Sequence, residues 1–160
     1  MKSSFDRFKQ TLFLRLYTFS NIPLIWWVQP SVVDVTANQT VLKIPLTRRT
    51  RNHLKVMYFG ALAIGAEVVV ALKAVDAITK CGHKVDYIFK DFQANFNKRA
   101  EGDVHFICAE GEAVEALVAK CLQTGERESQ TFHSYAIVPS KNPGEKVAEF
   151  SVTLSVKKRK

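Results

Sequence analysis

One stretch, Val56 to Val75 (VMYFGALAIGAEVVVALKAV), limits the folds open to this chain more than any other. Up to Leu72 it is apolar on every face of a helix except for one carboxylate, Glu67. A helix that is hydrophobic all round must be buried all round, in a protein core or in a membrane. The unbroken apolar run falls short of the about 20 residues a membrane span needs, and Glu67 sits inside it, so a core helix is expected. Glu67 is then a charge committed to an apolar setting, where desolvation raises a carboxyl pKa. Two readings stand open for it: a general base, or a structural acid paired with an arginine or a backbone donor.

A chain of 160 residues is long enough to bury a core without disulfide staples, so one domain over residues 1–160 is expected. The net charge of +8 asks for an anionic partner: nucleic acid, an anionic membrane or a phosphorylated small molecule. The Lys and Arg residues are dispersed and no nucleic-acid-binding motif appears, which argues against nucleic acid. Cys81, Cys108 and Cys121 form an odd set without C-x-x-C spacing, as buried thiols in a reducing compartment would. His53, His83, His105 and His133 show no metal-ligand spacing, so neither a metal nor another cofactor is expected. Asp6, Arg7, Lys9 and Arg15 interrupt any signal-peptide hydrophobic region, and a cytoplasmic protein without an integral membrane segment is expected.

Ser3 to Asp6 resembles a capping box, and Phe5, Phe8, Leu12, Leu16 and Phe19 follow at helical spacing. This predicts an amphipathic helix over residues 4–19, its apolar stripe packed on the sheet or, alternatively, laid on a membrane surface. Leu24 to Val28 holds both tryptophans, assigned to the core or to the wall of a ligand tunnel. Residues 31–37 alternate with Val33 and Val35 facing one way, and residues 40–46 alternate again after an Asn38-Gln39 turn; together they predict a hairpin. Pro45 cannot donate to a ladder, which puts the second strand at an edge. Arg48, Arg49 and Arg51 then crowd the loop that enters the central helix; either they hold a phosphate, which free amides and the dipole there favour, or they are ordinary solvated loop charges.

After a break at Cys81-Gly82-His83, Val85, Tyr87 and Phe89 alternate, and Phe92, Ala94 and Phe96 alternate in the opposite phase. One long strand with a β-bulge at Lys90-Asp91 explains the slip. A strand over 103–109, a helix opened by Glu112 and closed by Gly125, and strands over 128–138 and 146–156 complete the chain. A turn at Asn142-Pro143-Gly144 joins the last two, and the tail from Lys157 to Lys160 is expected to fray. With most strands joined by hairpins the class is α+β, an antiparallel sheet wrapped around the long apolar helix.

The segment Asn52 to Glu67, NHLKVMYFGALAIGAE, resembles the active-site segment of hotdog-fold thioesterases of the PaaI-like kind. Those enzymes carry an Asn, then a His-Gly-Gly, then a catalytic Asp or Glu on the helix. Asn52 matches the Asn, Tyr58 falls on the His, Phe59-Gly60 on the Gly-Gly and Glu67 on the acid. The segment looks closest to a branch in which Met-Tyr-x-Gly-Ala-Leu replaces the His-Gly-Gly core. Lys55 stands where relatives often have Gly. The resemblance implies a hotdog fold and hydrolysis of acyl-CoA or a similar acyl thioester. In that reading Glu67 activates water or attacks directly, the Phe59 amide holds the oxyanion, and Asn52 and Tyr58 orient substrate. Arg48, Arg49 and Arg51 would bind CoA phosphates.

Geometry adds a constraint of its own. Phe59 and Glu67 are eight residues apart, about 12 Å along a helix, too far for one carbonyl to touch both. Two subunits must then share each site, and a homodimer or a homotetramer built as a dimer of dimers is expected. Two other readings compete: a non-catalytic acyl-thioester or lipid-binding hotdog protein in which Glu67 is structural, and hydration or dehydration of an acyl thioester. The second of these needs a His–acid pair, and His53 does not occupy the matching place.

Overall fold

The structure, a computed structural model, describes residues 4–159. In chain order its elements are α1 (Ser4–Asn21), α2 (Pro23–Trp27), β1 (Ser31–Val35), β2 (Thr40–Ile44), α3 (Phe59–Cys81), β3 (Val85–Phe96), β4 (Val104–Cys108), α4 (Gly111–Thr124), β5 (Glu128–Val138) and β6 (Asn142–Lys158). All the strands pair antiparallel in one sheet, ordered β1-β2-β4-β5-β6-β3. The capping box expected at Ser3 lies outside the described residues.

Helix α3 is the buried centre. It packs against β2, β4, β5, β6 and α4, and Ala61, Leu62, Ala66, Val69, Val70 and Ala74 are buried along it. A Cβ on Gly65 would stand 2.2 Å from the ring of fully buried Phe106, so the missing side chain is what lets the helix lie on β4. The helix ends at Gly82, whose φ of +69° is the left-handed cap that glycine adopts without strain. One buried residue was not expected. Lys73 is 1% exposed, and its ammonium donates to the Thr36 carbonyl (3.0 Å) and to Glu115 Oε1 (2.5 Å).

The long strand β3 carries the bulge between Phe89 and Phe92 where the phase slip put it. Several other expectations are corrected. β2 lies inside the sheet and β1 is the edge; Pro45 simply follows the last paired residue of β2. A bulge between Val32 and Asp34 breaks the alternation in β1, so Val32 and Val35 are the buried pair. β1–β2 and β5–β6 are hairpins, in keeping with the expectation for most of the strands, and between β3 and β4 the chain crosses the sheet. The β5–β6 turn is Pro139-Ser140-Lys141, and Asn142-Pro143-Gly144 begins β6, where a register shift absorbs the proline. The tail is held as well: Lys157 and Lys158 pair with β3, and Arg159 bonds Asp86.

The two edges of the sheet are treated differently. Helix α1 lies along β1, where Thr11 Oγ1 accepts the Val32 amide (2.9 Å). Arg15 donates to the carbonyls of Gln29 and Pro30 and to Ser31 Oγ, tying the entrance of β1 to the helix. β3, twelve residues long, pairs only with β6 among the described residues, and Ile88, Phe92 and Phe96 on it are exposed. A bare edge of that length is a template for another strand.

Helix α1 itself is turned over relative to the expectation. Leu14 and Thr18 are its buried residues, whereas Phe8, Leu12, Leu16 and Phe19 are 64%, 46%, 60% and 58% exposed. The short helix α2, not expected at all, follows the turn with Trp27 and Leu24 exposed and Ile25 buried. Neither tryptophan is in the core.

Candidate active site

The site begins in the loop that delivers the chain to α3. Thr50 is buried, donates through Oγ1 to the Pro45 carbonyl (2.6 Å) and accepts the Thr47 amide (2.9 Å), which closes the turn bearing the arginines. Arg48, Arg49 and Arg51 all point to solvent from it and form no ion pair among the described residues. The Arg49 guanidinium lies over the Trp27 ring, 4.7 Å from its centre. Asn52 turns the next four residues: its Oδ1 accepts the amides of Leu54 (2.9 Å) and Val56 (3.3 Å). The tightness of this turn puts Lys55 at φ +62°, a conformation in which glycine is at ease and lysine is not. Asn52 therefore shapes the loop, and the side-chain amide NH2 is what remains of it for a ligand.

Helix α3 starts without a side-chain cap and without an acidic residue in its first turn. Tyr58 N–H is spent on the Thr50 carbonyl (2.8 Å), and Met57 N–H on Ala100 (2.9 Å). The Phe59 and Gly60 amides have no acceptor among the described residues, so two donors are left at the positive end of a helix of 23 residues. A Cβ on Gly60 would sit 2.4 Å from the exposed Tyr58 ring, so a side chain there would require that ring to turn away. Tyr58 and Phe59 are exposed, pack on one another and reach Phe96 at the end of β3. Together with Asn52, Leu62 and Phe96 they line a cleft of about 500 Å³.

Glu67 lies two turns further along α3, in a different and larger cleft of about 1000 Å³ between α3 and β3. Tyr87, Phe89, Ile64, Tyr17 and Ile22 are among its walls. The carboxyl is half-buried, and burial pushes its pKa above the usual carboxylate range. No arginine, lysine or backbone donor among the described residues bonds it. Of the two readings left open by the sequence, the paired structural acid finds no partner here. Tyr87 faces the same space, its phenol pushed up first by burial and then by the nearby Tyr17 and Glu67.

The structure thus brings Asn52, Tyr58, Phe59 and Gly60 together and keeps Glu67 apart from them, with the three arginines on the surface and only Arg49 set against α2. Sequence reasoning passed over Thr50, which fixes the loop, and Tyr87, which shares the acid's cleft. Tyr87 left a signal: it is the one residue with a polar tip in the Val85-Tyr87-Phe89 alternation. Thr50 left none, since a buried threonine in an arginine-rich loop looks like any other loop residue. Among the described residues no group of three His, Cys, Asp or Glu side chains is placed to hold a metal ion.

The family model described as a domain of unknown function (DUF4442) matches residues 9–156. No curated protein matches the sequence. Among solved structures, a protein from Shewanella oneidensis provisionally named a thioesterase is 14% identical, with a TM-score of 0.77 over 93% of this chain and 98% of its own. A Pseudomonas aeruginosa protein of unknown function, named as a probable thioesterase, is 20% identical with a TM-score of 0.70 over 93% and 96%. A Chlorobaculum tepidum protein of unknown function is 10% identical with a TM-score of 0.80 over 96% and 97%. At these identities the likeness is one of fold. The fold is the hotdog: an antiparallel sheet set around one long helix.

Proposed function

We propose that this chain, which belongs to the DUF4442 family of hotdog-fold proteins, hydrolyses acyl thioesters such as acyl-CoA with Glu67 as its base. One observation carries the reading: a half-buried carboxyl with no bonding partner among the described residues, raised in pKa by burial, opening into a cleft large enough for an acyl group. An unpaired acid in an apolar wall costs stability, and a base poised toward neutral pH is what such a cost can serve. The solved relatives named as thioesterases support the choice of substrate class.

In this reading Glu67 takes a proton from water as the water oxygen attacks the thioester carbonyl. The amides of Phe59 and Gly60 hold the resulting oxyanion, a stabilisation worth about 3–4 kcal/mol per donor in other enzymes. Collapse of the tetrahedral intermediate breaks the C–S bond, and the thiolate leaves. Asn52 steadies the loop that aims the amides, and Tyr58 donates a hydrogen bond at its rim. Arg48 and Arg51, with Arg49 beside them, would meet the nucleotide phosphates of CoA.

The acid and the amides stand about 12 Å apart along one helix, so each site must draw them from two subunits. The bare β3 edge, with Ile88, Phe92 and Phe96 exposed, supports a homodimer that continues the sheet and carries one subunit's helix start toward the other's Glu67 cleft. A cytoplasmic, single-domain enzyme working as a dimer or a tetramer of dimers is the complete proposal.

A second reading, a non-catalytic acyl-thioester-binding protein, is favoured by Tyr58 standing where the thioesterases carry histidine. A panel of acyl-CoA esters with free-thiol detection, run beside sedimentation, tests both. Hydrolysis by a dimer that disappears in Glu67→Gln is expected. Tight binding of acyl-CoA without thiol release would establish the second reading instead.

A further inference from the structure

The residues that the proposed hydrolase leaves unused lie on α1 and α2. At about 100° per residue, Phe8, Leu12, Leu16 and Phe19 fall within one quarter of the α1 circumference. The buried residues Leu14 and Thr18 lie about 155° and about 115° round the helix from the centre of that stripe. The helix therefore holds the protein with its less apolar side, through Thr11, Leu14, Arg15 and Thr18, and turns its most apolar side outward. Leu24 and Trp27 of α2 extend the exposed surface. Scattered exposed leucines need no explanation, but a helical stripe of four large apolar residues does.

We infer that this outward face of α1 and α2 docks on an anionic lipid membrane, lying in the plane of its interface. The charges around the stripe favour that occupant. Lys9 borders the stripe, Arg49 adds a guanidinium over the Trp27 ring, and the chain as a whole carries +8, whereas Arg15 is spent on the carbonyls before β1 and Arg7 lies on the Leu14 side of the helix. An apolar stripe with aromatic residues and a basic margin is the pattern of an interfacial helix. A second copy of the chain is disfavoured by the same charges, because a two-fold contact would set one basic margin against another on chains of +8 each. The chain also has a separate place for a second copy, the β3 edge, across the sheet from the β1 edge that α1 covers. No helix of the described residues is long and apolar enough to cross a membrane, so the contact is with its surface. This inference stands whether or not Glu67 is catalytic. If it is, Tyr17 and Ile22, which wall the Glu67 cleft, place that cleft next to the lipid-facing stripe.

The two tryptophans, Trp26 and Trp27, are the only ones in the chain and both lie in α2, so their emission reports on this surface directly. The test adds vesicles to the full chain, either pure phosphatidylcholine or an equal mixture with phosphatidylglycerol, and reads tryptophan emission and co-sedimentation. Binding to the mixed vesicles with a blue shift, weaker on pure phosphatidylcholine and reduced by salt, is expected. Leu12→Gln together with Leu16→Gln should weaken it at least about tenfold, with melting temperature and sedimentation in solution unchanged. Absence of binding by the natural chain, equal binding by the double variant, or equal binding to both vesicle types would overturn the inference. A drop of the double variant to a smaller species in solution would overturn it too, by showing that a second copy covers the stripe.

Discussion

Helices α3 and α1 make the same claim in sequence, a row of large apolar residues at helical spacing, and meet opposite fates. α3 is enclosed by four strands and α4, while α1 touches the protein through Leu14 and Thr18 and leaves its phenylalanines outside. The difference lies in what each helix offers on its other faces. α3 has small residues, Gly65 and Ala66 among them, that let it settle onto the sheet, and almost no polar group that needs water. α1 has Thr11 and Arg15 on one face, and these are the groups that satisfy the free edge of β1 and the carbonyls leading into it, while the buried Thr18 turns its hydroxyl back onto the helix's own carbonyls. Hydrogen-bonding need at an unpaired strand outweighs apolar area, because a buried unsatisfied amide costs about 1–3 kcal/mol and the stripe can be covered by something else. An apolar stripe tells where burial is wanted; it does not say by whom.

Substitutions can break this contrast at graded cost. Gly65→Val should be the most damaging, since even its Cβ would overlap the buried Phe106 ring. Overpacking of this kind costs about 3 kcal/mol, or about 6–12 °C in a chain of this size; a melt within two or three degrees of the natural protein would show that α3 is looser than described. Lys73→Ala comes next. It opens a cavity and leaves the Thr36 carbonyl without its donor, but Glu115 is half in water and keeps Lys80 at 4.0 Å. A loss of about 2–3 kcal/mol is expected by denaturant unfolding, and Lys73→Met, which keeps the volume, should lose less.

Two further changes should have small effects, for opposite reasons. Lys55→Gly removes a left-handed lysine but frees the unfolded chain, so a gain of no more than about 1 kcal/mol is expected. A marked loss would mean that the Lys55 side chain is itself needed. Leu12→Gln with Leu16→Gln should change stability by less than about 0.5 kcal/mol per site, as exposed positions do. If instead the pair costs as much as a core substitution, the stripe is buried in the assembled protein and α1 is closer to α3 than this account holds.

Much of this was legible from the residues. The apolar length of α3 required a core helix, the phase slip between Phe89 and Phe92 required the bulge, and Gly125 closed α4 where expected. Periodicity fixes which residues share a face but not which neighbour that face meets, and so the stripe of α1 is legible in sequence while the choice between sheet and membrane surface is not. Pro45 excluded a ladder donor at one position and said nothing about where the strand's other residues sit, so β2 was wrongly sent to the edge. Lys73 escaped notice because lysine is nearly always exposed, and its partners, Thr36 and Glu115, lie 37 and 42 residues away. At the site, Glu67 stood out as the one carboxylate in the apolar run, whereas Asn52 and the start of α3 were named only by the resemblance to the thioesterase segment. The lack of a bonding partner for Glu67 could not be read from sequence, since only the fold shows that no cation among the described residues bonds it.

That lack of a bonding partner gives Glu67 a definite pH signature. Its folded pKa is raised, so the native state holds this proton more tightly than the unfolded chain does. The stabilisation from this group is therefore full below the unfolded carboxyl pKa and is lost as pH rises through the raised folded value. Activity should run the other way, falling on the acid side of that same raised pKa as the base is protonated.

The most direct test of the account measures melting temperature and acyl-CoA turnover on one variant, Glu67→Gln, at neutral pH. Because the carboxylate is desolvated and unpaired, the variant should melt at the same temperature as the natural protein or slightly higher, bind acyl-CoA, and release no thiol above background. A large fall in melting temperature would reveal a partner that makes Glu67 structural, and undiminished hydrolysis would place the chemistry elsewhere; either result contradicts the account.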